Sequence, residues 1–189
     1  GSTLTVLKAL NKAIDDGVNI VNLSLGSPRN DPFLHLTILS AVFFHNMIVV
    51  AATGNGGGEI FFPAAFPETI AVGALDFDKQ RSAYSGFGEE LDISAIGGNT
   101  ERKEFRNHGV VAQGFVNDQT NYGLYILDGT SVAGPQVVGA LAVLYSYGIT
   151  DSAKLKEILF GTAEDVMRPG KDVESGAGLL RIDLALEEV

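Results

Sequence analysis

The feature that most constrains this chain is an alternation of helical segments with short apolar runs. "VNIVNLSLG" (18–26) alternates into a buried strand, and "MIVVAATGNGGG" (47–58) is an apolar strand running into a glycine-rich loop. "TIAVGALD" (69–76) is a third strand. Before the first, "LTVLKALNKAIDD" (4–16) sets Leu4, Leu7, Leu10 and Ile14 on one helical face and stops at Gly17; between the first two, "LHLTILSAVFFHN" (34–46) is again helical. Short apolar strands separated by helices predict an α/β fold with a parallel sheet.

Beyond Asp76 the pattern changes. "ELDISAIG" (90–97) and "LYILDG" (124–129) are short strand candidates, separated by the polar stretch 98–123. That stretch is too long for a plain connection, and a hairpin around "GVVAQGFV" is the expectation. Helices are expected over 131–147 and 151–161, with "GAGLLRIDLALEEV" as a short strand or turn and a terminal helix. No repeat or linker divides the 189 residues, so a single domain is expected. Gly1-Ser2 has the look of a tag scar, which leaves open a longer native chain and says little about a signal peptide.

Net charge is −10, without the basic stripe that nucleic-acid binding needs. No apolar run approaches the length of a membrane span. The absence of cysteine excludes disulfides, thiolate nucleophiles and thiolate metal sites, and fits either side of a membrane.

Two positions suggest chemistry. Asn55 ends a strand and opens a glycine loop, the place where open α/β sheets bind ligands. A dinucleotide fingerprint would need glycine at 59, where Glu59 stands, and no phosphate-binding Lys-Ser/Thr pair follows. A turn with Asn in a left-handed conformation explains the same residues. Ser131, in "DGTSVAGPQ", is either a nucleophile or, with Thr130, the cap of the helix that follows. Ala133 stands where an esterase nucleophile elbow needs glycine.

Together the segments "VNIVNLSLG", "IVVAATGN", "FPAAFPETIAVGALD", "YSGFGEELDISAIG" and "GTSVAGPQVVGALAVL" resemble, in order, the subtilisin-like serine protease family. The resemblance spans about residues 4–185 apart from 98–123, and is most specific in G-T-S-x-A-x-P, matched by Gly129, Thr130, Ser131, Ala133 and Pro135. It implies a three-layer parallel-sheet fold, incomplete on its N-terminal side, and a serine endopeptidase acting by acyl transfer. Ser131 then matches the nucleophile and Asn55 the side-chain donor to the oxyanion. Ser24, Leu25 and Gly26 resemble the segment that pairs with substrate backbone. Ala52, Thr53 and Gly54 resemble one wall of the pocket for the residue before the scissile bond. Phe61 and Phe62 replace smaller residues near the floor of that pocket and are expected to narrow it.

A serine hydroxyl needs a base to take its proton. The family's Asp and His precede its serine, in a part of the fold with no counterpart in these residues. His35 and His45 lie in a helix away from the site, and His108-Gly109 falls in the long loop, in the wrong order. The chain alone is therefore expected to be inactive, the other reading being a pseudoprotease that binds peptide or protein. A nucleotide-binding domain is the third, without a phosphate motif. Gln136 stands where the family commonly has histidine, and Gly134 replaces a serine. No cofactor is implied; Glu90 and Asp92 fall where some relatives hold a weakly bound cation, with a solvated carboxylate pair as the alternative. The lost strands would leave "VNIVNLSLG" near a bare sheet edge, which is expected to recruit an upstream fragment, another subunit or a second copy.

Overall fold

The computed structural model describes residues 2–100, 108–115 and 122–189. Gly1 and the parts of the expected loop at 101–107 and 116–121 lie outside the described residues.

Four strands form one parallel sheet in the order β1 (Ile20–Leu23), β2 (Ile48–Ala52), β3 (Ile70–Leu75) and β4 (Ile93–Ile96). β2 and β3 are buried at every position, as continuous apolar runs in a covered parallel sheet must be. Between β1 and β2 comes α2 (Pro32–His45), begun by Asp31, whose Oδ1 accepts from Phe33 and Leu34 N–H, and ended by left-handed Asn46. α1 (Thr3–Asp15) lies beside it, capped by Ser2. Leu10, Ile38 and Ala41 from these helices pack with Val49, Ala51 and Ala71 on one face of the sheet.

The other face is covered by α3 (Thr130–Ser146) and α4 (Ser152–Gly161), with the short α5 (Ile182–Ala185) behind. Ala133, Val137, Leu141 and Leu144 of α3 pack onto Val50, Val72, Ile93 and Ala95. The three-layer α/β architecture thus follows from two helical faces meeting one apolar sheet. The two strand expectations on either side of the long loop resolve differently. β4 joins the sheet, whereas β5 (Val110–Phe115) and β6 (Tyr122–Leu127) pair with each other as a separate antiparallel hairpin. "LYILDG" is thus a strand, as expected, but of this second, two-stranded sheet, and it delivers the chain to α3.

The sheet's two edges differ. Beyond β4, Leu180 N–H donates to Ser94 O and Ser94 N–H to Gly178 O, so residues 178–180 cover that edge. β1 is bonded on one side only among the described residues, and its strand is shorter than the expected 18–26. Thr5, Val6, Ala9, Leu10 and Ala13 of α1, with Val21 and Leu23, line an apolar groove of about 310 Å³ beside it. No helix among the described residues is long and apolar enough to cross a membrane.

Leu141, fully buried between α3 and the sheet, reports on this packing. Leu141→Ala is expected to lower unfolding stability by about 2–5 kcal/mol, the range for a buried leucine that leaves a cavity, measured by chemical denaturation. A loss under about 1 kcal/mol would place α3 outside the core.

Candidate active site

Every strand of a parallel sheet points the same way, so the loops leaving β1 and β2 emerge at one end. The N-terminus of α3 meets them there. Its first residue, Thr130, is buried, and both its N–H and its Oγ1 donate to Asn55 Oδ1, at 2.9 and 2.8 Å. Thr130 Oγ1 in turn accepts from Gly54 N–H at 3.2 Å. These bonds fix which way the Asn55 amide faces: its oxygen is fully used inward, so Nδ2 projects outward. The helix is not capped by Thr130 or Ser131, the alternative left open by the sequence. Gly129 is the N-cap and makes no side-chain cap bond; the capping acceptor comes from Asn55, on another element.

Gly129 has φ of +139°, a conformation that favours glycine. A Cβ there would lie 3.1 Å from Asn55 Nδ2, 3.1 Å from Ser131 Oγ and 3.7 Å from Ser131 N. Glycine thus keeps empty the space on which two N–H donors and one hydroxyl converge. Ser131 is exposed, its N–H belongs to the first turn of α3, and no other described residue bonds that N–H or its hydroxyl. A helix N-terminus also favours negative charge. The arrangement suits an oxygen that acquires negative charge while its carbon is attacked by Ser131.

Five further bonds hold the site, and no local sequence pattern signals them. Pro135 stands four residues after Ser131 and has no N–H, so Ser131 C=O loses its helical donor. Ser24 Oγ donates to that carbonyl at 3.0 Å and accepts from Asn22 Nδ2 at 2.9 Å. Tyr84 OH donates to Gly98 O at 2.6 Å and accepts from Gly129 N–H at 2.9 Å. Gln136 Nε2 donates to Ile96 O at 2.6 Å, tying α3 to the end of β4.

The remaining predicted residues gather here in part. Ser24, Leu25 and Gly26 continue past the end of β1 as exposed chain outside any strand or helix, and the main-chain groups of Leu25 and Gly26 carry no hydrogen bond among the described residues. Ala52 and Thr53 are buried, with Gly54 at the rim beside Asn55. The histidines lie elsewhere. His35 stacks on Phe66 at 4.0 Å and pairs through Nε2 with Glu68 at 3.0 Å; His45 ends α2; His108 packs edge-on against Phe77. Asp92 accepts from Ala71 N–H at 2.9 Å and faces Lys171 at 3.5 Å. Among the described residues no three acidic or histidine groups, Glu90 and Asp92 included, come together as a metal site.

Burial pushes the Tyr84 phenol above its ordinary value, against the hydrogen bond from Gly129. Above about pH 10 the unfolded tyrosine ionises while the folded one keeps its proton, so its contribution to stability is lost as pH rises toward the folded value. Tyr84→Phe is expected to flatten this alkaline loss, and to cost about 0.5–1.5 kcal/mol at neutral pH by removing the bond to Gly98 O, since the Gly129 amide keeps Gly97 O as an acceptor at 3.1 Å. Denaturation midpoints of both proteins between pH 7 and 11 check it; parallel curves would refute the assignment.

Comparison with known proteins agrees with this geometry. The model of the subtilase family matches residues 1–178. Subtilisin NAT of Bacillus subtilis subsp. natto is 31% identical over 188 residues, covering 96% of this chain and 44% of its own length. Subtilisin Savinase of Lederbergia lenta is 36% identical over 148 residues, covering 76% of this chain and 48% of its own. The chain therefore spans less than half the length of these two relatives. Among solved structures, a lanthipeptide protease superposes with a TM-score of 0.84 at 26% identity, over 100% of this chain and 66% of that one. The prenylagaramide maturation protease PagA gives 0.80 at 30% identity, over 98% and 67%. With its parallel sheet and with Asn55 and Ser131 facing one gap at the start of α3, the chain belongs to the subtilase family.

Proposed function

We propose that this chain is the nucleophile-bearing part of a serine endopeptidase. The observation that carries the reading is the orientation of Asn55. Its Oδ1 is held by Thr130, which turns Nδ2 toward the gap at Gly129 that Ser131 Oγ also borders. A purely structural asparagine would gain nothing from leaving a donor there.

In this reading a histidine base takes the Ser131 proton as Oγ bonds to the peptide carbonyl carbon, and the carbonyl π pair moves onto oxygen. That oxygen enters the space at Gly129, where Asn55 Nδ2 and Ser131 N–H donate to it more strongly than to the neutral carbonyl. Collapse breaks the C–N bond, the base returns its proton to the leaving amine, and water releases the acyl group by the same steps in reverse order. Ser24, Leu25 and Gly26 offer free main-chain groups to the substrate, and Ala52, Thr53 and Gly54 form the facing wall.

The base and its orienting aspartate come from a segment other than these residues, docked at the β1 edge. The edge has unpaired main-chain groups and an apolar groove beside it, which suits a strand from an upstream fragment, another subunit or a second copy. By itself the chain is inert. A second reading, a peptide-binding module without hydrolysis, is favoured by one observation: no described histidine hydrogen-bonds the Ser131 hydroxyl.

Labelling by a fluorophosphonate separates the two. Ser131 is expected to react once the chain is joined to the segment encoded immediately before Gly1, not alone, and Ser131→Ala should abolish the signal. No labelling in either state would remove the protease reading. In the joined form Asn55→Ala is expected to lower kcat by about 10²–10³, the known cost of losing this type of donor in a subtilisin, with KM little changed. The open edge predicts that the 189-residue chain alone sediments as associated species; a monodisperse monomer would count against it.

A further inference from the structure

α2 shows solvent a face that a surface helix normally keeps polar. Leu34, Ile38 and Ala41 are buried on its inner side. On its outer side Phe33, Leu36, Phe43 and Phe44 are 69%, 62%, 69% and 83% exposed. At about 3.6 residues per turn these four fall on one stripe, with the half-buried Thr37 and Ser40 between them. From Pro32 to His45 the helix has no Asp, Glu, Lys or Arg, in a chain with 13 basic and 23 acidic residues. Apolar on both sides, α2 has the composition of a helix covered all round.

A whole phenylalanine presents about 150–250 Å², so the three rings leave about 330–550 Å² of apolar surface on one helix. That alone matches the largest patch of an ordinary monomer, about 300–600 Å². Two such stripes face to face remove about 700–1,100 Å² through the rings, and with Leu36 they meet the roughly 1,000 Å² at which protein contacts become specific. The stripe also has the same order from either end: large residues at 33, 36, 43 and 44 flank the small pair at 37 and 40. A copy turned end for end therefore presents the matching surface, as a two-fold contact requires. A membrane surface is a poorer match, because an interfacial helix carries Lys or Arg beside its apolar face and α2 has neither. Each copy bears a net charge of −10, so a charge-free helix is where two copies meet with least repulsion.

We propose that the outer face of α2 is the contact surface for a second copy of this chain, the two helices lying antiparallel across a two-fold axis near Ser40. Phe33 of one copy then faces Phe44 of the other, and Leu36 faces Phe43. The proposal is independent of the acyl-transfer reading. It is also independent of the β1 edge, since none of these residues lines the groove there.

The first test is sedimentation equilibrium of the form joined to the upstream segment, in which the β1 edge is occupied. A dimer is expected as concentration rises. A two-fold axis removes an altered ring twice, so Phe44→Ser should raise the dissociation constant by more than about 30-fold. Phe33→Ser combined with Phe44→Ser should leave a monomer, with the circular dichroism of wild type because both positions are exposed. The second test identifies the neighbour. The chain has no cysteine, so a single introduced thiol reports on what lies beside it. Ser40→Cys is expected to oxidise to a covalent dimer more than about 10-fold faster than Ser146→Cys, exposed at the end of α3, because the contact holds the two thiols together. A dimer unmoved by the double substitution, or Ser40→Cys oxidising no faster than Ser146→Cys, places the contact elsewhere and overturns the proposal. A joined form that is monomeric at every concentration overturns it as well. If the 189-residue chain alone then dimerises through Ser40→Cys, the upstream segment is the cover of α2.

Discussion

Two hydrogen bonds from Thr130 into Asn55 Oδ1 are the constraint on which the site depends. They join the loop after β2 to the start of α3, 75 residues apart in the chain. They also settle a question that an asparagine always poses, namely which end of its amide faces the solvent. With both donors arriving from Thr130, only Nδ2 is left to face outward. The same residue that caps the helix in place of an N-cap side chain is thereby held ready for a ligand oxygen. Gly54 N–H, donating to Thr130 Oγ1, completes a closed network in which each member fixes its neighbour.

The parallel sheet was legible because burial on both faces leaves its mark on consecutive residues: every position of "IVVAA" and "IAVGAL" is buried. α2 was equally visible as the helical run at 34–46, although the structure starts it at Pro32, capped by Asp31, and ends it at His45. The hairpin was half legible. A strand pairing depends on what lies opposite, so "LYILDG" was legible as a strand while its partner, Val110–Phe115, was not. Asn55 and Ser131 were found through resemblance and not through spacing, since alone each fitted a turn or a cap. Tyr84 was missed altogether. Its role lies in bonds to Gly98 and Gly129, 14 and 45 residues away, for which no local pattern exists.

The sheet's asymmetry has the same origin as its order. β4 is followed in the chain by segments long enough to return and cover its edge, which residues 178–180 do through Ser94. β1 follows directly from α1 and, among the described residues, is bonded on one side only, with the groove of α1 beside it. Edge strands in natural proteins are usually protected by charge, proline or a bulge. "IVNL" has none of these.

Pro135 shows how a local defect serves the site. A proline inside a helix normally costs stability because it deprives the carbonyl four residues earlier of its donor. Here that carbonyl belongs to Ser131, and Ser24 supplies the missing donor from the end of β1. The break in the helix thus becomes a bond between Ser131 and the segment that follows β1. Asn22 holds Ser24 in turn, and the lack of a side chain at Gly134 keeps α3 close to Asn22. A residue with an N–H at 135 would give that carbonyl a second donor beside Ser24, whereas with proline Ser24 supplies the donor the helix lacks. Proline in the first turns of α3 is therefore better understood as a tie across the site than as a tolerated irregularity.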